Sequence, residues 1–215
     1  MTTHGLKRFL LDIVYPNRCP FCDCIIAHNA YYCPECIADL PRSTADDGSE
    51  NFCAVFEYNE QTSPFVYSLK DSGNGYAICA AASLLAEQVA HLEFDLITCI
   101  PSDKARMRER GYNPPALIAR EISAILRIPH NVRLLSKARR TDIQKSLTRS
   151  ERLDNIKGVF SANTTVTGRI LLIDDVRTTG ATLSEATQVL YSAGASRVFA
   201  AAVAQVPDYT VTTGE

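Results

Sequence analysis

One stretch of the sequence decides the fold: Ile170-Leu-Leu-Ile-Asp174-Asp175-Val176-Arg177-Thr178-Thr179-Gly180-Ala181-Thr182-Leu183. Four apolar residues in a row are typical of a strand that is buried on both faces of a parallel sheet. Two aspartates follow the run, and a short turn of hydroxyl residues and glycine leads into an apolar helical pattern over Ala181–Ala193, which stops at Gly194. The sequence therefore predicts a strand, a tight turn and a helix, with two carboxylates at the C-terminal end of the strand.

Each part of this turn suits a phosphorylated sugar. The first turn of a helix has unpaired N–H groups and a partial positive charge, which attract phosphate. Gly180 lets the backbone approach such a group closely, and the carboxylates of Asp174 and Asp175 suit vicinal ribose hydroxyls or a Mg²⁺ ion that holds them. Three threonine hydroxyls add hydrogen bonds: Thr178, Thr179 and Thr182. Solvated aspartates followed by capping threonines are the structural alternative, which explains single residues better than the whole ordered stretch.

Strands and helices alternate through most of the chain. Apolar runs predict strands at Cys53–Tyr58, Phe65–Leu69, Leu96–Ile100, Val132–Leu135 and Arg197–Ala204. Helical spacing of apolar residues predicts helices at 77–91 and after Asn113-Pro114-Pro115, with Asn113 as the N-cap. We interpret 101–113 and 137–152 as loops. This alternation predicts an α/β fold with a largely parallel sheet flanked by helices.

Five of the eight cysteines fall in one short N-terminal stretch. Four of them form two Cys-x-x-Cys pairs separated by ten residues: Cys19, Cys22, Cys33 and Cys36. This spacing is typical of a tetrahedral zinc site, whereas a redox pair needs one Cys-x-x-Cys at a strand end in a larger fold. Buried free thiols are a further alternative, and Cys24 and His28 are candidate substitute ligands. We predict one structural zinc ion that stabilises the segment, with no open coordination position for catalysis.

These patterns divide the chain into three parts. Residues 1–44 form a zinc-ribbon-like module that begins with a short helix ending before Pro16, residues 45–52 are a polar linker, and residues 53–215 form the α/β domain. The first fifteen residues lack the features of an export signal, and no run approaches the ~20 apolar residues of a membrane helix. We therefore expect a cytoplasmic protein without membrane insertion.

The net charge of −2 conceals an uneven distribution. From Lys104 to Arg152 there are thirteen Lys and Arg against four Asp and Glu, whereas the rest of the chain has nine basic and twenty acidic residues. A basic segment of this kind suits phosphate groups, and its alternatives are a solvated basic face or a nucleic-acid patch. Because Tyr112 is its one aromatic residue, the segment is a poor stacking surface for single-stranded nucleic acid.

The stretch from Ile170 to Leu183 resembles the phosphoribosyl-pyrophosphate (PRPP) motif of the type I phosphoribosyltransferases. Three more motifs follow the cysteine pairs in order: Arg110-Gly111-Tyr112-Asn113, Arg139-Arg140-Thr141-Asp142-Ile143-Gln144 and Arg152-Leu153-Asp154-Asn155. The series is similar to the ComF family of competence-associated phosphoribosyltransferases. Two departures are Pro114, where that family usually has Gln, and Ile100-Pro101-Ser102, where it usually has Pro-Val-Pro.

The resemblance implies roles for residues of two segments. Asp174 and Asp175 would be the catalytic pair that holds the ribose hydroxyls. The turn would bind PRPP through Val176, Arg177, Thr178, Thr179, Gly180, Ala181 and Thr182. The basic segment would hold pyrophosphate through Lys104, Arg108, Arg110 and Gly111.

The implied reaction is Mg²⁺-assisted attack of a nitrogen nucleophile on C1 of PRPP with release of pyrophosphate, in a protein associated with DNA uptake. The competing hypothesis is a non-catalytic adaptor or nucleotide sensor that uses the same fold to bind a partner. Candidate partners beyond PRPP are a competence helicase, single-stranded DNA and a second copy of the chain.

Overall fold

The computed structural model describes residues 16–27, 30–43, 51–70, 75–137 and 158–207. The elements in chain order are α1 (Pro34–Asp39), β1 (Phe52–Glu57), α2 (Ser63–Ser68), α3 (Gly75–Val89), β2 (Leu96–Cys99), α4 (Lys104–Arg110), α5 (Pro114–Leu126), β3 (Leu135–Lys137), β4 (Phe160–Ala162), β5 (Arg169–Arg177), α6 (Ala181–Ser192) and β6 (Arg197–Gln205). None of the helices in these ranges combines the length and apolarity that a membrane span requires.

Four strands form a parallel sheet in the order β1–β6–β5–β2. Beyond β2, the backbone from Pro129 to Asn131 runs parallel to the strand and bonds to both backbone groups of Ile97, at 2.9 Å each. The chain leaves β2 toward this edge through α5, whereas it leaves β5 in the opposite direction, through α6, to β6. The carboxyl ends of β2 and β5 therefore flank the point at which the winding reverses, where open α/β sheets bind their ligands.

Side chains of β5 alternate between two cores, one on each face of the sheet. Leu171 and Ile173 pack with residues of α2, α3 and α5, and Ile170 and Leu172 pack with α6 and the small β3–β4 sheet. All four are completely buried. The predicted fold class, a parallel sheet flanked by helices, is confirmed because these apolar runs are covered on both faces.

The prediction of a strand at Phe65–Leu69 is wrong, because this segment belongs to helix α2 and its end. Pro64 occupies the first turn of the helix, where a missing N–H costs little. Phe65, Val66 and Leu69 are fully or almost fully buried at helical spacing, so one helix face enters the core. The short apolar run had been compatible with either structure.

The prediction of a loop throughout 101–113 is also wrong, because its centre is helix α4. Asp103 caps the helix by accepting a 2.8 Å hydrogen bond from the backbone N–H of Arg106, and Gly111 ends it at φ 79°. Both are ordinary start and stop signals that the alternating arginines obscured. The helix also places Lys104 and Arg108 on a different face from Arg106 and Arg110.

The other predicted strands and helices are confirmed within a few residues, although the weak strand predicted at Val132–Leu135 begins at Leu135. Asn113 is the N-cap of α5 in position, but its side chain makes no capping bond. Strand β4 was not predicted. The helix before Pro16 and most of the loop at 137–152 lie outside the described residues.

The cysteine-bearing segment lies against the sheet domain. Its Pro41–Ser43 end pairs antiparallel with β1, through bonds from Ser43 N–H to the Val55 carbonyl and from Glu57 N–H to the Pro41 carbonyl, both 3.1 Å. On the other side, the hydroxyl of Tyr76 donates to the side-chain oxygen of Asn17, which is buried. The segment is therefore attached to both β1 and α3.

Candidate functional site

Strands β2 and β5 deliver the residues of the site to the same edge of the sheet. Cys99 pairs with Ile173, and the N–H of Ile100 bonds to the Ile173 carbonyl at 2.9 Å. The next residues after these are Pro101 on one strand and Asp174 on the other. The predicted acidic pair and the loop that carries α4 therefore begin side by side at the reversal point.

The two aspartates differ sharply in environment. Asp174 is 7% exposed, whereas Asp175 is partly exposed. Burial, and then the neighbouring Asp175 carboxylate, raise the pKa of Asp174 well above its usual range. Both lie within β5, as predicted for the end of the strand, and the strand continues for two residues beyond them to Arg177. A buried carboxylate lacks the hydrogen bonds that water would donate to it. It is therefore suited to bind a cation or to accept hydrogen bonds from ligand hydroxyls.

Lys70 also lies at this edge of the sheet, beside the acidic pair. It follows the end of α2, and its Nζ lies 3.6 Å from Oδ2 of Asp175. Both side chains are less than one-third exposed. Only the assignment of 63–68 to a helix, with its buried face at Phe65 and Leu69, could have suggested that Lys70 reaches this edge.

The turn after β5 has the geometry that the sequence predicted. Gly180 has φ 75° and precedes the first residue of α6, so a side chain there would be strained. The Thr179 hydroxyl accepts from the N–H of Ala181 at 3.5 Å. The guanidinium of Arg177 stacks over the ring of Phe52, 4.3 Å from its centroid, beside Gly180. The helix start and the acidic pair therefore belong to one continuous strand, turn and helix.

The Arg110-Gly111-Tyr112-Asn113 motif fastens the loop after β2. The Asn113 amide donates to the Ile100 carbonyl at 2.9 Å and accepts from the Ser102 hydroxyl at 2.7 Å. The Tyr112 hydroxyl donates to the Leu69 carbonyl at 3.1 Å, next to Lys70. Tyr112 and Asn113 thus hold the backbone at Leu69 and Ile100 in place, a role that the resemblance did not predict.

The basic residues divide into exposed and buried ones. Lys104, Arg106 and Arg108 of α4 are exposed, and Arg106 pairs with Asp103 at 3.4 Å. Lys137 is partly buried near Asp103 and Asp174, and its burial lowers its pKa. The motif residues from Arg139 to Asn155 lie outside the described residues.

Gln205 was also missed. It ends β6, opposite Arg177 of β5, and is 6% exposed. Its Oε1 is buried and has no hydrogen-bond partner within the described ranges. Because buried amide oxygens are normally hydrogen-bonded, this atom is a candidate acceptor for a ligand N–H.

The four predicted cysteine ligands lie together. The Sγ atoms of Cys19, Cys22, Cys33 and Cys36 are all within 4.8 Å of one another. Cys22 and Cys33 are 3.7 Å apart, and tetrahedral Zn–S bonds of about 2.3 Å place sulfurs about 3.8 Å apart. Backbone N–H groups of Cys33 and Cys36 donate to Sγ of Cys19 and Cys33 at 3.4 Å. Size and donor chemistry therefore fit a structural zinc ion. Cys24 is not one of these four, although its thiol interacts with those of Cys22 and Cys33, and His28 is outside the described residues.

Comparison with known proteins agrees with this metal site and with the motifs. Residues 10–58 match the family described as the double zinc ribbon domain. Competence protein F of Haemophilus influenzae is 26% identical over 191 residues, which are 84% of this chain and 81% of that protein. Competence protein ComFC of Streptococcus pneumoniae is 29% identical over 178 residues, 77% of each chain. The chain is therefore similar to these competence proteins over more than three-quarters of its length. The resemblance to the ComF family is thereby confirmed.

The DNA utilization protein YhgH of Escherichia coli K12 is also similar to this chain, with 28% identity over 188 residues, which are 84% of this chain and 80% of that protein. Similar solved structures include a purine phosphoribosyltransferase from Pyrococcus horikoshii, which is 21% identical, covers 60% of this chain and 73% of its own, and has a TM-score of 0.40. Another is the glutamine PRPP amidotransferase from B. subtilis, 23% identical, covering 58% of this chain and 25% of its own, with a TM-score of 0.40.

Proposed function

We propose that this ComF-like chain binds PRPP at the carboxyl ends of β2 and β5 and transfers its phosphoribosyl group to a nitrogen nucleophile during DNA uptake. The observation that carries the proposal is the continuous unit of Asp174, Asp175 and the Gly180 turn at the reversal point of the sheet. The names of the competence homologues support the association with DNA uptake.

The donor oxygens at this edge suit both parts of the substrate. The carboxylates of Asp174 and Asp175 would hold the ribose 2′- and 3′-hydroxyls, and the N–H groups from Thr178 to Thr182 would surround the 5′-phosphate. Carboxylate oxygens are also the ligands that Mg²⁺ prefers. When bound with PRPP, Mg²⁺ would neutralise charge on the pyrophosphate.

Bond formation between the nucleophile nitrogen and C1 accompanies cleavage of the bond from C1 to the pyrophosphate oxygen, which keeps the electron pair. The nitrogen then loses its proton to solvent. Lys104 and Arg108, which share one face of α4, are proposed contacts of the departing pyrophosphate, and Arg110 and the Gly111 backbone are proposed to contact it from the end of the helix. Gln205 is proposed to accept from an N–H of the nucleophile, because its Oε1 lies near the end of β5 without a partner among the described residues.

The alternative is a non-catalytic PRPP or nucleotide sensor that binds a competence helicase or DNA. The exposed basic helix α4 favours a polyanionic partner. Among the described ion pairs, Arg106 pairs with Asp103, whereas Lys104 and Arg108 pair with no acidic side chain. Binding to DNA alone would be steeply salt-dependent and insensitive to Asp174→Asn.

Calorimetric titration with PRPP and Mg²⁺ tests the proposal. We expect binding by the parent, loss of binding in Asp175→Asn, and unchanged binding in Asp95→Asn, which removes a carboxylate at the opposite edge of the sheet, where Asp95 pairs with Arg169. Pyrophosphate release is then measured against a panel of amines and nucleobases. Absence of PRPP binding overturns the proposal, and binding without release for any acceptor favours the sensor.

A further inference from the structure

Phe21 links the zinc module to the core of the sheet domain. It lies between Cys19 and Cys22 in the sequence, and its ring centroid is 4.3 Å from that of Phe65 and 5.7 Å from that of Phe56. Phe56 and Phe65 are themselves in edge contact at 6.0 Å and are completely buried. Aromatic pairs at these separations stabilise the structure beyond the burial of their apolar surface alone.

Phe65 lies on α2, and the same helix leads to Lys70. Within it, the Leu69 N–H bonds to the Phe65 carbonyl at 3.3 Å, and the Lys70 N–H bonds to the Tyr67 carbonyl at 2.8 Å. Leu69 is completely buried, so this short segment cannot rotate without disturbing the core. A displacement of Phe65 would therefore be transmitted to Lys70.

The far end of α2 meets the candidate site. Lys70 pairs with Asp175 at 3.6 Å, and the preceding carbonyl of Leu69 accepts from Tyr112 at 3.1 Å. The helix is thus held by Phe21 at one end and by the acidic strand end and the Tyr112 hydroxyl at the other. The start of the helix is anchored as well, because the Thr62 hydroxyl donates to the Glu57 carbonyl at 2.7 Å.

The position of Phe21 depends on the cysteine cluster. Helix α1 has no buried residue, and the buried residues of the described parts of the module are Asn17, Cys19 and Cys33. A segment with so small a core of its own depends for its order on its metal as well as on its packing against the sheet domain. The backbone between Cys19 and Cys22 is therefore held in place by the ion that these two residues would share.

We propose that Phe21 is a positioning residue that couples zinc occupancy to the placement of Lys70 beside Asp175. The coupling passes through Phe65 and α2, and Phe21 itself does not touch the acidic pair. The effect on PRPP rests on the proposed function, whereas the effect on α2 does not.

Hydrogen exchange tests the structural half in the zinc-loaded full chain. Phe21→Ala should retain one zinc per chain and speed exchange of the α2, Leu69 and Lys70 amides about ten-fold, with β5 and β6 unchanged. Ile25→Ala, which removes a 65% exposed apolar side chain from the same module, should change neither the zinc content nor the exchange of the α2 amides. Phe21→Leu should restore most of the protection, because it restores apolar contact with Phe65.

Unchanged exchange of α2 in Phe21→Ala overturns the proposal. Faster exchange of the β5 and β6 amides to the same extent also overturns it, because Phe21 would then have a general role in folding. Loss of zinc from the variant overturns it as well, because Phe21 would then act in retaining the metal. Removing zinc from the parent with a chelator should reproduce the acceleration at α2.

A double-mutant cycle on PRPP affinity tests the functional half. Phe21→Ala should weaken PRPP binding several-fold in the parent and not at all in a Lys70→Met background, because the effect passes through Lys70. Equal weakening in both backgrounds contradicts the route through Lys70. If the parent itself does not bind PRPP, the proposed function fails, and the exchange experiment still decides whether Phe21 orders α2.

Discussion

The ammonium group of Lys70 lies 3.6 Å from a carboxylate oxygen of Asp175, which joins the end of α2 to the acidic end of β5. The pair offsets part of the negative charge that two adjacent aspartates place at this edge. Because both side chains are less than one-third exposed, solvent screens the pair only partly.

The Lys70–Asp175 pair should contribute measurably to stability. Lys70→Met, Asp175→Asn and the double variant, compared by urea unfolding, should give a coupling free energy of about 0.5–1 kcal/mol. The matched control is the Arg18–Asp23 pair, whose side chains are 51% and 80% exposed and for which no coupling is expected. Equal couplings in the two cycles would show that burial of the Lys70 pair has no energetic consequence.

Asp174 should make the protein less stable as the pH rises. Because its pKa is raised in the folded state, folding favours the protonated carboxyl, and this advantage is lost as the pH increases from about 4, the unfolded value, through the raised pKa. Asp174→Asn should therefore raise the unfolding temperature at pH 8, by about 2–4 °C for each 1 kcal/mol gained, and much less at pH 4.

The groups that share this environment set the control for that experiment. Asp175 raises the pKa of Asp174 and Lys70 lowers it, so Asp175→Asn should shift the pH dependence toward lower pH. A stability profile that keeps its slope in Asp174→Asn would assign the pH dependence to other groups. Thermal unfolding from pH 4 to pH 8 supplies the measurement.

Gly180→Ala should combine backbone strain with loss of ligand affinity. A left-handed conformation costs a residue with a Cβ about 1–2 kcal/mol, and the new methyl would stand 3.0 Å from Nε of Arg177. Gly158→Ala is the control, since Gly158 has φ 71° but open space around its Cβ position. Both variants should lose similar stability in urea, and only Gly180→Ala should weaken binding of PRPP. Equal affinity in the two variants would remove the turn from the binding site.

Zinc content should distinguish Cys22 from Cys24. Cys22→Ser should reduce zinc below the expected one ion per chain and lower the unfolding temperature, because it removes one of four clustered ligands. Cys24→Ser changes an exposed cysteine that is not one of the four, and this variant should retain the ion and the parent's stability. Elemental analysis with thermal unfolding checks both, and zinc loss from Cys24→Ser would reassign the ligand set.

The sequence was sufficient for features that are local in the chain. The apolar run at Ile170–Ile173, the glycine at 180 and the paired cysteines each specify their own structure through burial, backbone freedom or metal geometry. The Asp103 cap and the Gly111 stop of α4 were equally local signals. The alternating arginines between them lack the apolar spacing of a helix, so the segment was predicted to be a loop.

Contacts between distant segments were not accessible in this way. Lys70 meets Asp175 only because α2 is a helix, and the short run Phe65–Leu69 fits a strand or a helix until its packing is known. Asn113 has the position of a helix cap, but in the folded chain its side chain hydrogen-bonds to the Ile100 carbonyl and the Ser102 hydroxyl instead. The ring of Phe21 likewise acquires its meaning from Phe56 and Phe65, which lie over thirty residues away.

The pairing of Pro41–Ser43 with β1 has a consequence for cutting the chain. Among the described strands, β1 is the last one on its side of the parallel sheet, and this short segment occupies backbone groups that would otherwise be open. A fragment that starts at residue 52 would expose them together with the ring faces that Phe21 covers, and free strand edges pair readily with other molecules. By pairing with β1, the metal-binding segment thus also blocks the edge at which the sheet would otherwise self-associate.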